Sequence, residues 1–358
     1  MKRRDVLLFA AAGSGYALSR RAWAATPCPP PSISVAGGTA VTTACPSGSA
    51  SSALSDWTAR STASGVVQAV RFNSATNVSK WTHADGNQSL VVQNPSDGII
   101  GDGCLQINQP AALGNGGQWR IPLNAAWTAD GSGFGAGVDY YVQYRCKLGP
   151  NRLTPAFGDQ NGQSGGFKLS ILGGYIFSSP GSSSSDIDCE IVCTNPAWIN
   201  IPVVYNHSQG QIVQRFQRTI AGYTSQQDAV DHGASITDVF KRYCVYENMS
   251  SATSPGCWFF AEQQWFTVYL HVKIAVFDAS PGTGNVLQMY VAKQGETTYT
   301  QLFQENDFQQ TSDSGAPGGN QALWLLPYDS HRSSASYSTY QAYDQVIVST
   351  KPIACPQV

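Results

Sequence analysis

The sequence predicts an all-β protein, an antiparallel β-sandwich of the jelly-roll type with a concave groove. Three observations carry this expectation. Of 358 residues only 12% are charged, whereas glycine (35 residues), serine, threonine, asparagine and glutamine abound and aromatic residues reach 11%, the balance of a turn-rich β protein. After Trp57 the chain is a series of short apolar or alternating runs broken by Gly, Asn, Asp, Ser and Pro, with no helical period except near 236–243. The runs show neither internal repeat nor alternation of strand with helix, which favours a sandwich or jelly roll over a parallel sheet.

At the start of the chain, Arg3 and Arg4 stand before an apolar run that continues through Phe9 to Ala12. This is the order of a twin-arginine export signal. Ala22-Trp23-Ala24 offers a cleavage point, and Gly13 and Gly15 leave the apolar stretch too short and interrupted to span a bilayer. Residues 1–25 are therefore expected to be removed, leaving a periplasmic or extracellular protein without stable membrane association. Residues 26–56, with Pro29-Pro30-Pro31 and the Ser/Ala run to Ser55, read as a flexible linker. Residues 57–358 are then the sandwich domain. The net charge of -2 argues against nucleic acid as a partner. Nine cysteines in an exported chain suggest disulfides, with Cys28/Cys45 and Cys244/Cys257 as local candidates. Cys189 and Cys193 cannot join each other on one strand, where four residues separate them by about 13 Å.

The clearest strands are 66–72, 103–107, 139–148, 166–173, 186–193, 202–207, 265–277, 285–293 and 340–349. Successive side chains of a strand point to opposite faces, so each run sorts into two sets. Tyr140, Val142, Tyr144, Cys146 and Leu148 oppose Tyr141, Gln143, Arg145 and Lys147. Phe266, Val268, Leu270 and Val272 oppose Thr267, Tyr269, His271 and Lys273. Lys168 and Ser170 oppose Phe167, Leu169 and Ile171, while Val203, Tyr205 and His207 share a face. If these strands are neighbours in one curved sheet, their polar sets make a single surface for an anionic polysaccharide. Cations would neutralise carboxylates there, and Tyr, His or Lys would move protons.

Asp186, Asp188 and Glu190 alternate on another strand, opposite Ile187 and Cys189. Carboxylates so placed suit a retaining glycosidase if two come about 5–5.5 Å apart, and like-charge repulsion raises the pKa of at least one. The same three groups could bind calcium or simply face solvent. No His/Cys spacing resembles a zinc site, and no phosphate loop or nucleophile elbow is present. No cofactor is expected.

The run Gly165-Gly166-Phe167-Lys168-Leu169-Ser170-Ile171-Leu172-Gly173-Gly174 resembles the Gly-Gly-Lys strand of jelly-roll polysaccharide lyases acting on alginate or glucuronan, with a Phe before the lysine and no proline. Val203-Val204-Tyr205-Asn206-His207 is similar to their tyrosine-bearing strand. Trp265–Phe277 with Asn285–Ala292, and the ending Tyr343–Ser349, resemble strands of the concanavalin A-like lectin and glucanase superfamily. The Trp57–Phe72 and closing-strand patterns also resemble bacterial and prophage proteins. The resemblance to the lyases implies β-elimination on a uronate polysaccharide, with Lys168 and Tyr205 serving the reaction. His207 would assist in proton transfer, while Arg145, Lys147, Gln143, Tyr269, His271 and Lys273 would bind substrate. The Asp186–Glu190 run resembles the Glu-x-Asp-x-Glu signature of laminarinase-type glycosidases, with Asp186 in place of the first Glu. A hydrolase and a non-catalytic, lectin-like protein are the alternatives.

Overall fold

The computed structural model describes residues 53–79, 88–111, 117–123, 133–152, 165–173, 187–194, 199–206, 213–214, 260–278, 283–306, 310, 320–328 and 337–357. The export signal, both proposed cysteine pairs, the stretch near 236–243, Asp186 and His207 lie outside them.

A helix opens the described chain. α1 (Ala53–Ser61) begins inside the segment read as linker, because Asp56 suits a first helical turn and pairs with Arg60 one turn later. Gly65, at φ 97°, supplies the left-handed turn into the first strand. The strands are β1 (Val66–Val70), β2 (Val91–Asn94), β3 (Cys104–Gln109), β4 (Trp119–Pro122), β5 (Asp139–Leu148), β6 (Gly165–Gly173), β7 (Ile187–Thr194), β8 (Ile199–Asn206), β9 (Val213–Gln214), β10 (Trp265–Lys273), β11 (Val286–Lys293), β12 (Thr300–Asn306), β13 (Ala322–Leu325) and β14 (Thr339–Ser349).

All pairings between these strands are antiparallel, in two sheets. The eight-stranded sheet runs β12-β11-β10-β5-β14-β3-β2, with β1 also paired to β14, and the six-stranded sheet runs β4-β13-β6-β7-β8-β9. Consecutive strands repeatedly change sheet (β3 to β4, β4 to β5, β5 to β6, β12 to β13, β13 to β14), the connectivity of a jelly-roll sandwich.

The inner faces meet in one core. Tyr140, Val142, Tyr144, Cys146 and Leu148 from β5 and Phe266, Val268, Leu270 and Val272 from β10 pack with Trp119, Ile121, Phe167, Leu169, Leu172, Ile187, Cys189, Leu323 and Leu325 of the other sheet. The period-two sorting of β5 and β10 thus matches the core.

In β6 the sorting holds only halfway. The β6–β7 register shifts between Lys168, opposite Glu190, and Ser170, opposite Cys189, so one residue is inserted and the alternation changes phase there. Ser170 therefore lies inside, its hydroxyl 2.9 Å from that of Tyr144. Ile171 goes to the outer face, packed with Ala322, Trp324 and Leu326. The expectation that Lys168 and Ser170 share a face is corrected by this bulge.

The outer face of the eight-stranded sheet is covered. Trp57 of α1 and Ile353 of the C-terminal segment pack on Tyr141, Tyr269 and Ile347. Asp56 Oδ1 accepts from the Gln357 N–H at 3.1 Å, joining the two covering pieces.

Candidate functional site

Cross-strand partners in a sheet share a face, so the register of the six-stranded sheet locates the candidate residues. One row of its outer face reads Arg120, Trp324, Ile171, Asp188, Tyr205 and Gln214 from β4 to β9. The next row carries Lys168, Glu190 and Val203. Four of the residues singled out in the sequence, Lys168, Asp188, Glu190 and Tyr205, therefore fall on one face of three adjacent strands. The Cα atoms of Lys168 and Tyr205 lie about 12 Å apart, across two interstrand steps of about 4.8 Å and two residues of about 3.3 Å.

Lys168 is partly exposed, its N–H donating to the carbonyl of Tyr328 at 2.8 Å and its Nζ lying 5.4 Å from the centre of the Tyr328 ring. Arg120 stacks on Trp324, its guanidinium carbon 3.8 Å from the ring centre. Its Nε and Nη2 donate to Gln118 Oε1 at 3.1 and 2.6 Å. Both Arg120 and Trp324 are buried.

The single surface expected from the sequence is not formed. Arg145, Lys147, Gln143, Tyr269, His271 and Lys273 belong to β5 and β10 of the eight-stranded sheet, on the side turned away from the core. The reason lies in pairing: β5 sits between β10 and β14, and β6 between β13 and β7. Period two assigns a residue to a face but does not choose the neighbouring strand.

Most of that second set is also occupied. Gln143, 0% exposed, accepts from Arg60 Nη1 and donates to Tyr299 Oη at 2.5 Å and to the Ala354 carbonyl at 2.9 Å. Arg145 is 1% exposed, and burial together with the nearby Arg60 charge lowers its pKa to about 10. The Tyr269 hydroxyl is met by the Ile353 N–H at 3.4 Å, and burial pushes it far above the ordinary phenol range. Lys147 pairs with Asp97 beside the Trp265 ring. Burial would raise the Asp97 carboxyl, but Lys147 and the Gly98 N–H hold it below its ordinary value. His271 is held by Gln288 at 2.8 Å and Asp139 at 3.0 Å while stacking on Tyr141, and Lys273 lies 3.9 Å from the same Asp139.

Cys104 and Cys146 are free, buried thiols, so the disulfide expectation does not extend to them, and Cys189 and Cys355 are buried as well. Among the described residues no three His, Cys, Asp or Glu side chains gather as a metal site, and no helix is long and apolar enough to cross a membrane.

Sequence reasoning missed Tyr328, Trp324 and Arg120 on the candidate face. Ala322–Leu326 is a continuous apolar run bounded by Gly318-Gly319 and Pro327. A strand buried on both faces has this signature, and a search for alternation passes over it.

The fold defines a class, the antiparallel jelly-roll sandwich. No protein family matches this sequence, nor does any curated protein. Among solved structures the chain is similar to the marine PL-14 alginate lyase from Aplysia kurodai, at 11% identity, 80% coverage of this chain, 99% of that chain and TM-score 0.47. It is also similar to the endo-beta-1,4-glucuronan lyase from the fungus Trichoderma reesei, at 12% identity, 77% and 96% coverage and TM-score 0.40. A third is the catalytic domain of the glycoside hydrolase family 131 protein from Coprinopsis cinerea, at 8% identity, 82% and 97% coverage and TM-score 0.39.

Proposed function

We propose that this chain is an exported carbohydrate-active protein that cleaves a uronate-containing polysaccharide by β-elimination on the outer face of the six-stranded sheet. The observation that carries the reading is the common face of Lys168 on β6 and Tyr205 on β8, on either side of β7. The resemblance of Gly165–Gly174 to the lysine strand of the lyases, and of Val203–His207 to their tyrosine strand, points to the same pair.

In the proposed reaction the Lys168 ammonium neutralises the uronate carboxylate and so acidifies the C5 proton. A Tyr205 phenolate takes that proton. The C5–H electron pair becomes the C4–C5 double bond, the bond from C4 to the glycosidic oxygen breaks, and the leaving oxygen receives a proton back from the tyrosine. Lys168 fills the carboxylate-binding role expected of Arg145, which is buried in the other sheet.

The test is ultraviolet absorbance of unsaturated uronates during incubation with alginate, polyglucuronate, pectate and neutral glucans. A rise on one uronate polymer, lost in Lys168→Ala, supports the reading.

The positions of Asp188 and Glu190 favour a second reading, a glycoside hydrolase. They share the candidate face at alternate places on one strand, with Cα atoms about 6.6 Å apart, a backbone spacing from which two carboxyl groups can reach the about 5–5.5 Å of a retaining pair. Reducing ends appearing without unsaturation, and lost in Glu190→Gln, would move the assignment to these residues. Silence in both assays would leave a glycan-binding protein.

A further inference from the structure

Tyr328 is one of two large hydrophobic residues left exposed among the described residues, at 36%. The other, Leu54, stands in the first turn of α1. Tyr328 does not hang from a loose loop end. Pro327, buried just before it, fixes its own φ and restricts Leu326 to extended backbone. The Tyr328 carbonyl accepts the Lys168 N–H at 2.8 Å, which carries the β13–β6 pairing past the bulge. The ring is thereby held beside Lys168, with Nζ 5.4 Å from its centre.

We infer that Tyr328 is the platform of a uronate-binding subsite: its ring takes the C–H face of one pyranose, whose carboxylate then meets the Lys168 ammonium. The inference rests on the lyase reading of this face and adds to it the residue that seats the sugar. Two chemistries converge within one side-chain length here, an apolar face for the ring and a cation for the acid. A neutral sugar would satisfy only the first, so the pair selects acidic residues of a chain. The ring face also attracts the Lys168 ammonium, which suits a lysine that neutralises a carboxylate and leaves proton abstraction to Tyr205. A lysine stem merely resting on a tyrosine would give the same cation–ring distance but no ligand dependence on the ring.

The experiment compares Tyr328→Ala and Tyr328→Phe in the full chain, first in turnover and then in binding of alginate tetrasaccharide by calorimetry in a Tyr205→Phe background. Tyr328→Ala is expected to raise KM and the tetrasaccharide Kd about tenfold with kcat little changed, and Tyr328→Phe to stay within about twofold, as a ring-face contact requires. A neutral glucan tetrasaccharide, which meets only the ring, is expected to bind more weakly than the alginate one and to lose its binding in Tyr328→Ala. Unchanged binding in Tyr328→Ala, equal damage from Phe and Ala, or no tetrasaccharide binding by any variant would overturn the subsite. If no polymer yields unsaturated uronate but tetrasaccharide binding still falls with Tyr328→Ala, the lyase reading fails while the subsite stands. Turnover that is indifferent to Tyr328 does the reverse.

Discussion

Arg60 donates from Nη2 to Oε1 of Gln345 at 2.6 Å, linking α1 to the closing strand across 285 positions of sequence. Gln345 sits at the register shift of β14 with φ 52°, so a bulge in left-handed backbone presents this acceptor. The same guanidinium bonds Asp56 at 3.0 and 2.7 Å, and Asp56, Arg60, Gln143 and Gln345 are all buried. Arg60→Ala would strand the Asp56 carboxylate and is expected to cost about 3–5 kcal/mol, measured as a lowered urea midpoint at constant m-value. Replacing both members with Asp56→Leu and Arg60→Met is expected to recover a large part of that loss.

Asp344 supplies a pH dependence. Burial raises its pKa from 3.8 to about 6, against the opposing N–H bonds of Ile99 at 3.0 Å and Gln345 at 2.8 Å. The folded state therefore binds more protons than the unfolded one between those two values, and stability falls as pH rises through that window. The loss is about 3 kcal/mol once the group is fully ionised. Unfolding free energies from pH 3.5 to 7 should show this decline after other carboxylates are accounted for. Asp344→Asn should remove that component, and an unchanged slope in the variant would exclude Asp344 as its source.

The two outer faces predict opposite phenotypes. Tyr205→Phe is expected to lower kcat about a hundredfold to ten-thousandfold, the usual worth of a proton-transfer group, with an unchanged melting temperature. Arg145→Met should cost about 1–3 kcal/mol of stability while kcat/KM at 25 °C is retained. Loss of turnover in a fully folded Arg145→Met would return the substrate to the eight-stranded sheet.

Thiol labelling tests the core. Burial, with the Asp97 and Asp344 charges, pushes the Cys104 thiol up to about 12, and burial raises Cys146 further still. Cys104 and Cys146 are expected to resist iodoacetamide at pH 8 in the native protein and to react on denaturation, as peptide mapping by mass spectrometry would report.

Much of the strand inventory was legible in the sequence. Asp139–Leu148 alternates for ten residues and forms β5 with the expected bounds, and 285–293 and 340–349 differ from β11 and β14 by one residue. α1 was hidden in a Ser/Ala-rich stretch whose composition resembles a linker, and only the Asp56 to Arg60 spacing marks it. β13 was hidden because it is apolar on both faces. For the candidate site, Lys168 and Tyr205 were legible as residue types on strands with the expected approximate bounds. Their separation from Arg145 and His271 was not, since partner choice depends on contacts far apart in sequence. The bulge in β6 also left no local sign, as Leu169 and Ser170 are ordinary strand residues without a glycine to mark it.

That bulge sets a constraint on chain length rather than on residue identity. Lys168 and Ile171, three residues apart, both reach the outer side of β6 only because the bulge absorbs Leu169; on a regular strand that odd separation would put them on opposite faces. Deleting Leu169 would remove the bulge and restore plain alternation, with Lys168 and Ile171 still outside and Ser170 inside at the loss of one buried leucine, whereas a second inserted residue would have to widen the bulge or turn one half of the strand over. Variants of this protein are therefore expected to keep Lys168 on the outer side through exchange or loss of residue 169, but to accept additional residues only before Gly165 or after Gly173.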